Sequence, residues 1–323
     1  MWIADRLDGS EGSPALSGAI PSGFDALVRV LHPYSRDRLV GMTWAEFIEQ
    51  VEADPARPVD EPERIDESGI TWEVAAAAHN SELAPGSLSH DVLGLEYGDS
   101  RNVESADGWR YHSPEEGSLT APVLARVADV LAAHTSTPER GVAAVWEGWG
   151  GLTSAAGVGF FFAIEPPEHL PRVLQAPVMA LRRKRLDFQE RKRRFGTRSA
   201  LRSLFGIRGS KPDGTGVLPK QVATGPRLEL PARAYFCFEA GIADFAEADG
   251  TAWQARAPWI DDPSSWWIQS PNLIWPDGHE WLLLTEIDFD STLIACSREC
   301  ADALLAADGV EAVEITRDTQ LWP

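Results

Sequence analysis

Apolar residues recur along the chain with two spacings, and the spacing of three to four residues predicts its helices. The clearest helix is predicted from Thr120 to His134, where the apolar residues share one face and Pro122 suits the first turn. A second is predicted from Thr43 to Val51, because Thr43 and Glu46 have the spacing of a capping box. Further helices are predicted at 71–78, 181–207, 242–248 and 297–307.

Alternating or continuous apolar runs between turn residues predict the strands. Such runs lie at 24–31, 141–146, 159–164, 232–239 and 310–315. A longer strand is predicted from Trp281 to Asp290, and the turn residues 276–278 before it predict a hairpin with 272–275. The segments 53–67 and 81–118 are rich in Pro, Gly, Ser and acidic residues, which predicts loops and irregular surface structure.

Helices and strands are interspersed and hairpin signals are present, so we predict an α+β fold with a mixed, mainly antiparallel sheet, flanking helices and a basic helical insertion. We expect a flexible N-terminus at 1–20 and one α+β body formed by 21–180 and 226–323. The basic helical insertion and its linker would then occupy 181–225.

The composition is that of an ordinary globular protein, with 44% hydrophobic and 24% charged residues. Stretches long and apolar enough to span a membrane are absent from the sequence, and the N-terminus does not have the pattern of a secretory signal. Three cysteines, an odd number, do not predict a disulfide framework. These features predict a cytoplasmic protein without a transmembrane segment.

The charge is distributed unevenly along the chain. Its net charge is −20, yet residues 182–211 contain twelve basic and two acidic side chains, so the remainder carries a net charge of −30. The basic patch that we single out consists of Arg182, Arg183, Lys184, Arg185, Arg191, Lys192, Arg193 and Arg194. Three interpretations stay open: a helix docked on the acidic body of the chain, an insertion that recruits an acidic partner or nucleic acid, and a helix at a membrane surface. The acidic body disfavours nucleic acid, whereas a protein partner remains open.

Three carboxylates at alternate positions are the main candidate for a site. If 281–290 is one strand, Glu286, Asp288 and Asp290 project together from one face, about 6.7 Å apart. With the aromatic residues Trp275, Trp146 and Trp149, they would form an acidic, tryptophan-lined binding surface of a non-enzymatic interaction protein. The same acids could instead be solvated at the end of an edge strand, or paired with arginines of the basic segment.

The run from Asp288 to Thr292 also resembles the DxDxT motif of haloacid-dehalogenase-type phosphohydrolases. The resemblance implies Asp288 as nucleophile, Asp290 as acid and base, and Mg²⁺ held near Glu286, Asp288 and Asp290. Only 31 residues follow Thr292, and none of them is the lysine that this family places later. A metal-dependent hydrolase of phosphate esters is therefore the alternative function, and the leading expectation requires no cofactor.

Three stretches together resemble a family of uncharacterised cytosolic proteins of high-GC actinobacteria. They are IPSGFDALVRVLHP, AVWEGWGGL and SPNLIWPDGHEWLLLTEIDFDSTLIA. The resemblance spans most of the chain except the basic segment, and it implies one cytosolic α+β unit without a stated activity.

Overall fold

The fold is taken from a computed structural model, which describes residues 2–3, 20–53, 63–96, 103–105, 107–149, 151–154, 178–189, 192, 197, 201, 214, 216–230, 233–247 and 270–321. The strands, numbered along the chain, are β1 (Ala26–Leu31), β2 (Tyr34–Val40), β3 (Arg64–Ile70), β4 (Val103–Glu104), β5 (Arg110–His112), β6 (Gly141–Trp146), β7 (Leu228–Glu229), β8 (Ala234–Glu239), β9 (Leu273–Pro276), β10 (Leu282–Leu284), β11 (Ser291–Cys296) and β12 (Ala312–Ile315).

The described residues also form helices. They are α1 (Trp44–Ala53), α2 (Trp72–His79), α3 (Ser89–Val92), α4 (Ala121–Ala133), α5 (178–189), α6 (Lys220–Ala223) and α7 (Arg298–Leu305), with a 3-10 helix at Ile242–Phe245. In the part of the chain that the structure describes, no helix is both long and apolar enough to cross a membrane. Helices and antiparallel strands are mixed, which confirms the predicted α+β class.

The chain divides into two compact units. The first comprises Met1–Ala143, Glu239–Gly250 and Gln269–Pro323, and the second comprises Ala144–Phe238 and Thr251–Ile268. The predicted single body interrupted at 181–225 stays a prediction, because most of 181–213 lies outside the described residues. The flexible N-terminus predicted at 1–20 also stays a prediction, because 4–19 lie outside the described residues. Ile3 is buried, and the Trp2 ring stacks on His279 at 4.2 Å between centroids.

The core of the first unit is a sheet in which β12, β1, β11, β10 and β9 are neighbours in that order. Strand β1 lies antiparallel between β11 and β12, so that Val28 faces Ile294 on one side and Glu314 on the other. All six residues of β1 are buried, including Arg29. A buried arginine in this sheet needs hydrogen-bond acceptors and a counter-charge, so buried polar contacts are expected around it.

Helices α4 and α7 lie against each other, and α7 also lies against β1. The apolar face predicted for α4 is buried at Leu124, Val127 and Leu131, and Pro lies in its first turn as expected. Ser297 caps α7 by accepting a hydrogen bond from the Cys300 backbone nitrogen at 3.3 Å. These local signals position the helices that the sequence predicts.

A four-stranded antiparallel sheet of the first unit has the order β3-β2-β5-β4. It corrects two expectations, because β3 begins inside the predicted loop 53–67, and β4 and β5 lie inside the predicted irregular segment 81–118. Charged and polar residues make up much of β2 and β3, so the apolar signal of a strand is weak there. Cross-strand charge pairs and a small core around Tyr34, Trp72 and Tyr111 stabilise this sheet instead.

In the second unit, β6, β8 and β7 are neighbours in that order. Strands β7 and β8 pair antiparallel, with Leu228 opposite Tyr235. The predicted linker 209–225 is partly regular, since it contains α6 and the buried Leu218. The predicted strand at 159–164 lies outside the described residues.

Candidate functional site

The acidic motif does not form one strand face, which corrects the main expectation from the sequence. Strand β10 ends at Leu284, and a turn follows in which the Phe289 backbone nitrogen donates to the Glu286 carbonyl oxygen at 3.0 Å. Phe289 is buried and Asp288 is exposed, while the half-exposed Glu286 accepts a hydrogen bond from its neighbour Ile287. Burial of Phe289 folds the chain back into β11, and the three carboxylates therefore point to different environments.

Glycine at position 117 allows this turn to approach the rest of the unit closely. Its backbone nitrogen donates to the Phe289 carbonyl oxygen at 2.9 Å, and its φ of +72° lies in the left-handed region. A Cβ at this position would lie 2.6 Å from the Ile287 carbonyl oxygen. The turn is thus fixed against Gly117.

Asp290 is buried and forms an ion pair with Arg29 of β1. The Arg29 Nη2 donates to Asp290 Oδ1 at 2.8 Å, and the two side chains are 1% and 9% exposed. The second carboxylate oxygen accepts from the Ser89 backbone nitrogen at 2.8 Å. Both oxygens of Asp290 therefore accept hydrogen bonds inside the fold, and the residue is 7% exposed.

Arg29 is held by acceptors on every side. Its Nη1 donates to the carbonyl oxygens of Pro85 and Ser87 at 2.9 and 2.8 Å, and its Nε donates to Ser291 Oγ at 2.9 Å. The guanidinium carbon lies 5.3 Å from the Trp72 ring centroid. Burial lowers the pKa of Arg29, and the charge of Asp290 opposes that change.

A chain of hydrogen bonds from His32 lies in the same buried region. The His32 Nδ1 lies 2.6 Å from the Glu115 carbonyl oxygen, which only accepts, so Nδ1 carries the proton. The Nε2 lies 2.9 Å from Thr292 Oγ1, which lies 2.8 Å from Thr285 Oγ1. Complete burial lowers the pKa of His32 to about 4, so the ring is neutral at pH 7.

These contacts show that the buried polar cluster stabilises the fold of the first unit. The cluster joins β1 to β11 through Arg29, His32, Asp290 and Thr292. Its hydrogen bonds also hold the segment 85–89 against the sheet. A nucleophile or a metal ligand needs a free, accessible oxygen, whereas both Asp290 oxygens accept hydrogen bonds and the side chain is only 9% exposed. In the described residues, no group of three or more His, Cys, Asp or Glu side chains is arranged to hold a metal ion, so the predicted Mg²⁺ ligands do not converge.

The phosphohydrolase resemblance also fails in its local geometry. The sequence predicts that a strand ends at the acids and that a helix follows. Instead β11 follows directly from Asp290, and α7 begins only at Arg298. Asp288 is thus an exposed turn residue, and Asp290 opens a buried strand.

The predicted tryptophan platform is not assembled as expected. Trp275 is 3% exposed in β9, a strand in which all four residues are buried, and its ring centroid lies 6.2 Å from that of Trp2. Trp146 and Trp149, in the second unit, are half-buried and meet edge to face at 5.7 Å. The Arg233 guanidinium lies 5.3 Å from the Trp146 ring centroid.

The basic patch is partly described, and its described part is a helix. Helix α5 carries four consecutive exposed basic side chains: Arg182, Arg183, Lys184 and Arg185. The side chain of Leu181 beside them is 69% exposed, and Lys192 is also exposed. Arg191, Arg193 and Arg194 lie outside the described residues. None of the four consecutive cations forms an ion pair with another described residue.

Sequence reasoning missed a surface on the four-stranded sheet, which we call the arginine–tryptophan face. It consists of Arg36, Arg38, Arg64 and Trp109. The guanidinium carbons of Arg36 and Arg38 lie 4.3 and 4.5 Å from the Trp109 ring centroid. Arginines at alternate positions of β2 signal a shared face, but the partner Trp109 is more than 70 residues away in the sequence.

A shallow cavity of about 220 Å³ lies at one end of the main sheet. It is lined by apolar residues such as Ile20, Phe24 and Ile315, and by the charged residues Asp25, Glu314 and Arg317. Arg317 donates to the carbonyl oxygens of Ile20 and Pro21, so this cation fastens the chain rather than pointing freely into the cavity. The volume is smaller than that of a typical small-molecule site.

Comparison with protein families, with curated proteins and with solved structures found no match to this chain. The resemblance to actinobacterial cytosolic proteins stays a prediction.

Proposed function

We propose that this chain is a non-enzymatic interaction protein that binds an acidic protein partner through helix α5. The observation that supports the proposal is the run of exposed basic side chains from Arg182 to Arg185. The binding surface differs from the acidic, tryptophan-lined one that the sequence suggests, because Asp290 and Trp275 are buried.

The charge balance of the chain makes this run unusual. Outside residues 182–211 the chain carries a net charge of −30, so carboxylates are abundant. Four exposed cations still form no ion pair with a described residue. Because these four cations are not paired with described carboxylates of the chain, they can bind an external anion.

An acidic protein segment fits this charge pattern better than nucleic acid does. Each exposed ion pair at 4 Å is worth about 1 kcal/mol in water, so several are needed together. A duplex presents a long line of phosphates, and a protein of net charge −20 repels it as a whole. A short acidic segment needs to match only the local charge.

The helix also offers an apolar contact. Leu181 is followed by Lys184 and Arg185 at the spacings that place side chains on the same side of a helix. The partner segment should therefore carry carboxylates on both sides of an apolar residue. Metal-dependent hydrolysis receives no comparable support, because both Asp290 oxygens are engaged.

The experiment is a titration of fluorescent hexaglutamate peptide with the full chain, followed by anisotropy. The test variant replaces Arg182, Arg183, Lys184 and Arg185 with Gln. A matched control replaces four exposed cations elsewhere, at Arg126, Arg140, Lys220 and Arg298, and therefore changes the net charge equally. We expect the test variant to bind about tenfold more weakly, a loss of ~1.4 kcal/mol, and the control to change little.

If both variants bind hexaglutamate equally weakly, the loss of affinity reflects net charge alone, which would contradict the proposal. Binding that does not weaken when salt is raised would contradict it as well, since these pairs are exposed. A fluorescent DNA duplex serves as the competing ligand, and tighter binding of the duplex than of hexaglutamate would favour the nucleic-acid interpretation.

A further inference from the structure

The arginine–tryptophan face is built by strand register in the four-stranded sheet. Arg36 of β2 lies opposite Ser68 of β3 and Tyr111 of β5. Two residues further along β2, Arg38 lies opposite Asp66, and both arginines project to the same side of the sheet. Trp109 precedes β5 by one residue and packs against both guanidinium groups.

The stacking holds both arginines in place while they remain accessible. The side chains of Arg36 and Arg38 are 24% and 46% exposed, and Trp109 is half-buried. A guanidinium over an indole is attracted to the ring, and its planar N–H edge stays available for hydrogen bonds. Fixed arginines lose less conformational entropy when they bind an anion.

Several N–H groups of this face have no partner within the described residues. Arg36 uses Nε for Ser68 Oγ and Nη1 for the Tyr111 hydroxyl. Arg38 uses Nε and Nη2, and both donate to the same oxygen of Asp66. Arg36 Nη1 also lies 3.9 Å from Asp107 Oδ2, and among the described residues Arg36 Nη2 and Arg38 Nη1 have no acceptor.

Arg64 adds a third guanidinium to the same face. Its side chain is 70% exposed and donates only through Nε, to the other oxygen of Asp66 at 2.8 Å. The hydrogen bond that Arg64 donates to Asp66 and the charge of that carboxylate raise the pKa of Arg64. The Asp66 carboxylate thus orients Arg38 and Arg64. Among the described residues, the N–H groups of Arg64 Nη1 and Nη2 donate to no acceptor.

From this geometry we infer that the arginine–tryptophan face binds an oxyanion group, the carboxylate or phosphate of a ligand. Forked N–H donors match the oxygens of both groups, and the ring of Trp109 fixes the forks in advance. The site belongs to the first unit and uses none of the residues of helix α5, so it is independent of the proposed protein interaction.

The test follows the indole N–H resonance of Trp109 in ¹⁵N-labelled full-length protein, assigned with Trp109→Phe. Inorganic phosphate and succinate are titrated separately, each against sodium chloride at equal ionic strength. We expect a saturable shift of this resonance with at least one of the two anions, and the two arms distinguish phosphate from carboxylate as the preferred group.

Two substitutions separate forked recognition from simple charge. Arg38→Lys keeps the charge but loses the planar fork, and we expect it to weaken binding about fivefold or more. Arg298→Lys is the matched control, because Arg298 is 49% exposed and paired with Glu314, away from any aromatic ring in the described residues. The control should bind like the unmodified protein.

Three results would overturn the inference. A shift that is linear in concentration and equal for phosphate, succinate and chloride would show ionic screening only. Unchanged binding in Arg38→Lys would show that no fork takes part. Equal loss in Arg38→Lys and Arg298→Lys would place the effect outside this face. Thermal unfolding of each variant confirms that these exposed changes leave the fold intact.

Discussion

Replacing Asp290 with Ala should destabilise the first unit strongly, because it leaves a buried cation without its counter-charge. Arg29 would keep its acceptors at Pro85, Ser87 and Ser291 but would lose the only carboxylate in contact with it among the described residues. The Ser89 backbone nitrogen would lose its acceptor at the same time.

The magnitude follows from the exposure of the pair, which is 1% for Arg29 and 9% for Asp290. Breaking a buried ion pair by removal of one partner costs about 3–5 kcal/mol. For a unit of this size, that free energy lowers the unfolding midpoint by roughly 6–20 °C. Asp288→Ala is the matched control, since it removes an exposed carboxylate two residues away and should change stability by less than about 0.5 kcal/mol.

The assay combines differential scanning calorimetry with hydrogen exchange of peptides that cover β1, since a chain of two units need not unfold in one step. Exchange in β1 should accelerate in Asp290→Ala and not in Asp288→Ala. A double variant, Arg29→Met with Asp290→Leu, should cost less than the sum of its single changes, because no unpaired charge remains buried. A cost below about 1 kcal/mol for Asp290→Ala, or one equal to that of Asp288→Ala, would refute the reasoning.

Three further outcomes test other parts of the structure. Burial lowers the pKa of His32 to about 4, whereas the pKa in the unfolded chain is about 6.5, so the unfolded state binds more protons between these pH values. The free energy of unfolding should therefore fall by about 3 kcal/mol as the pH drops from 7 to 4. In urea unfolding, His32→Gln should make the stability less dependent on pH over this range. Partial burial raises the pKa of Glu280, but hydrogen bonds donated by Ser136 and Thr135 outweigh it and lower the pKa to about 2. The contribution of Glu280 to stability should therefore be lost as the pH falls from 4.5 toward 2. At neutral pH, Glu280→Ala should lower the free energy of unfolding by about 1 kcal/mol, measured by thermal unfolding. Trp275→Ala should lower the free energy of unfolding by about 3–5 kcal/mol in calorimetry, and a near-neutral result would contradict burial of the Trp275 ring.

Local signals in the sequence were sufficient for several elements. The capping box of Thr43 and Glu46 forms as predicted, with the Thr43 backbone nitrogen 2.8 Å from Glu46 Oε2 and the Glu46 nitrogen 3.2 Å from Thr43 Oγ1. The hairpin of β9 and β10 and the helix capped by Ser297 also form. In each case the residues that determine the element are neighbours in the chain.

The site could not be predicted in the same way, because its contacts join distant segments. Arg29 and Asp290 are 261 residues apart, and the sequence shows only an arginine in an apolar strand and one acid among three. The alternation of Glu286, Asp288 and Asp290 suggests a strand, but burial of Phe289 favours a turn. Strands β2 and β3 were missed because charged pairs, rather than an apolar pattern, stabilise them.

Charge reversal on helix α5 shows whether this helix recognises an acidic partner. Arg182, Arg183, Lys184 and Arg185 are all replaced with Glu, and the affinity for hexaglutamate is measured beside an equal reversal at Arg126, Arg140, Lys220 and Arg298. We predict that the first variant loses detectable binding and that the second retains most of it. Loss of binding in both variants, or retention in the first, would contradict the account.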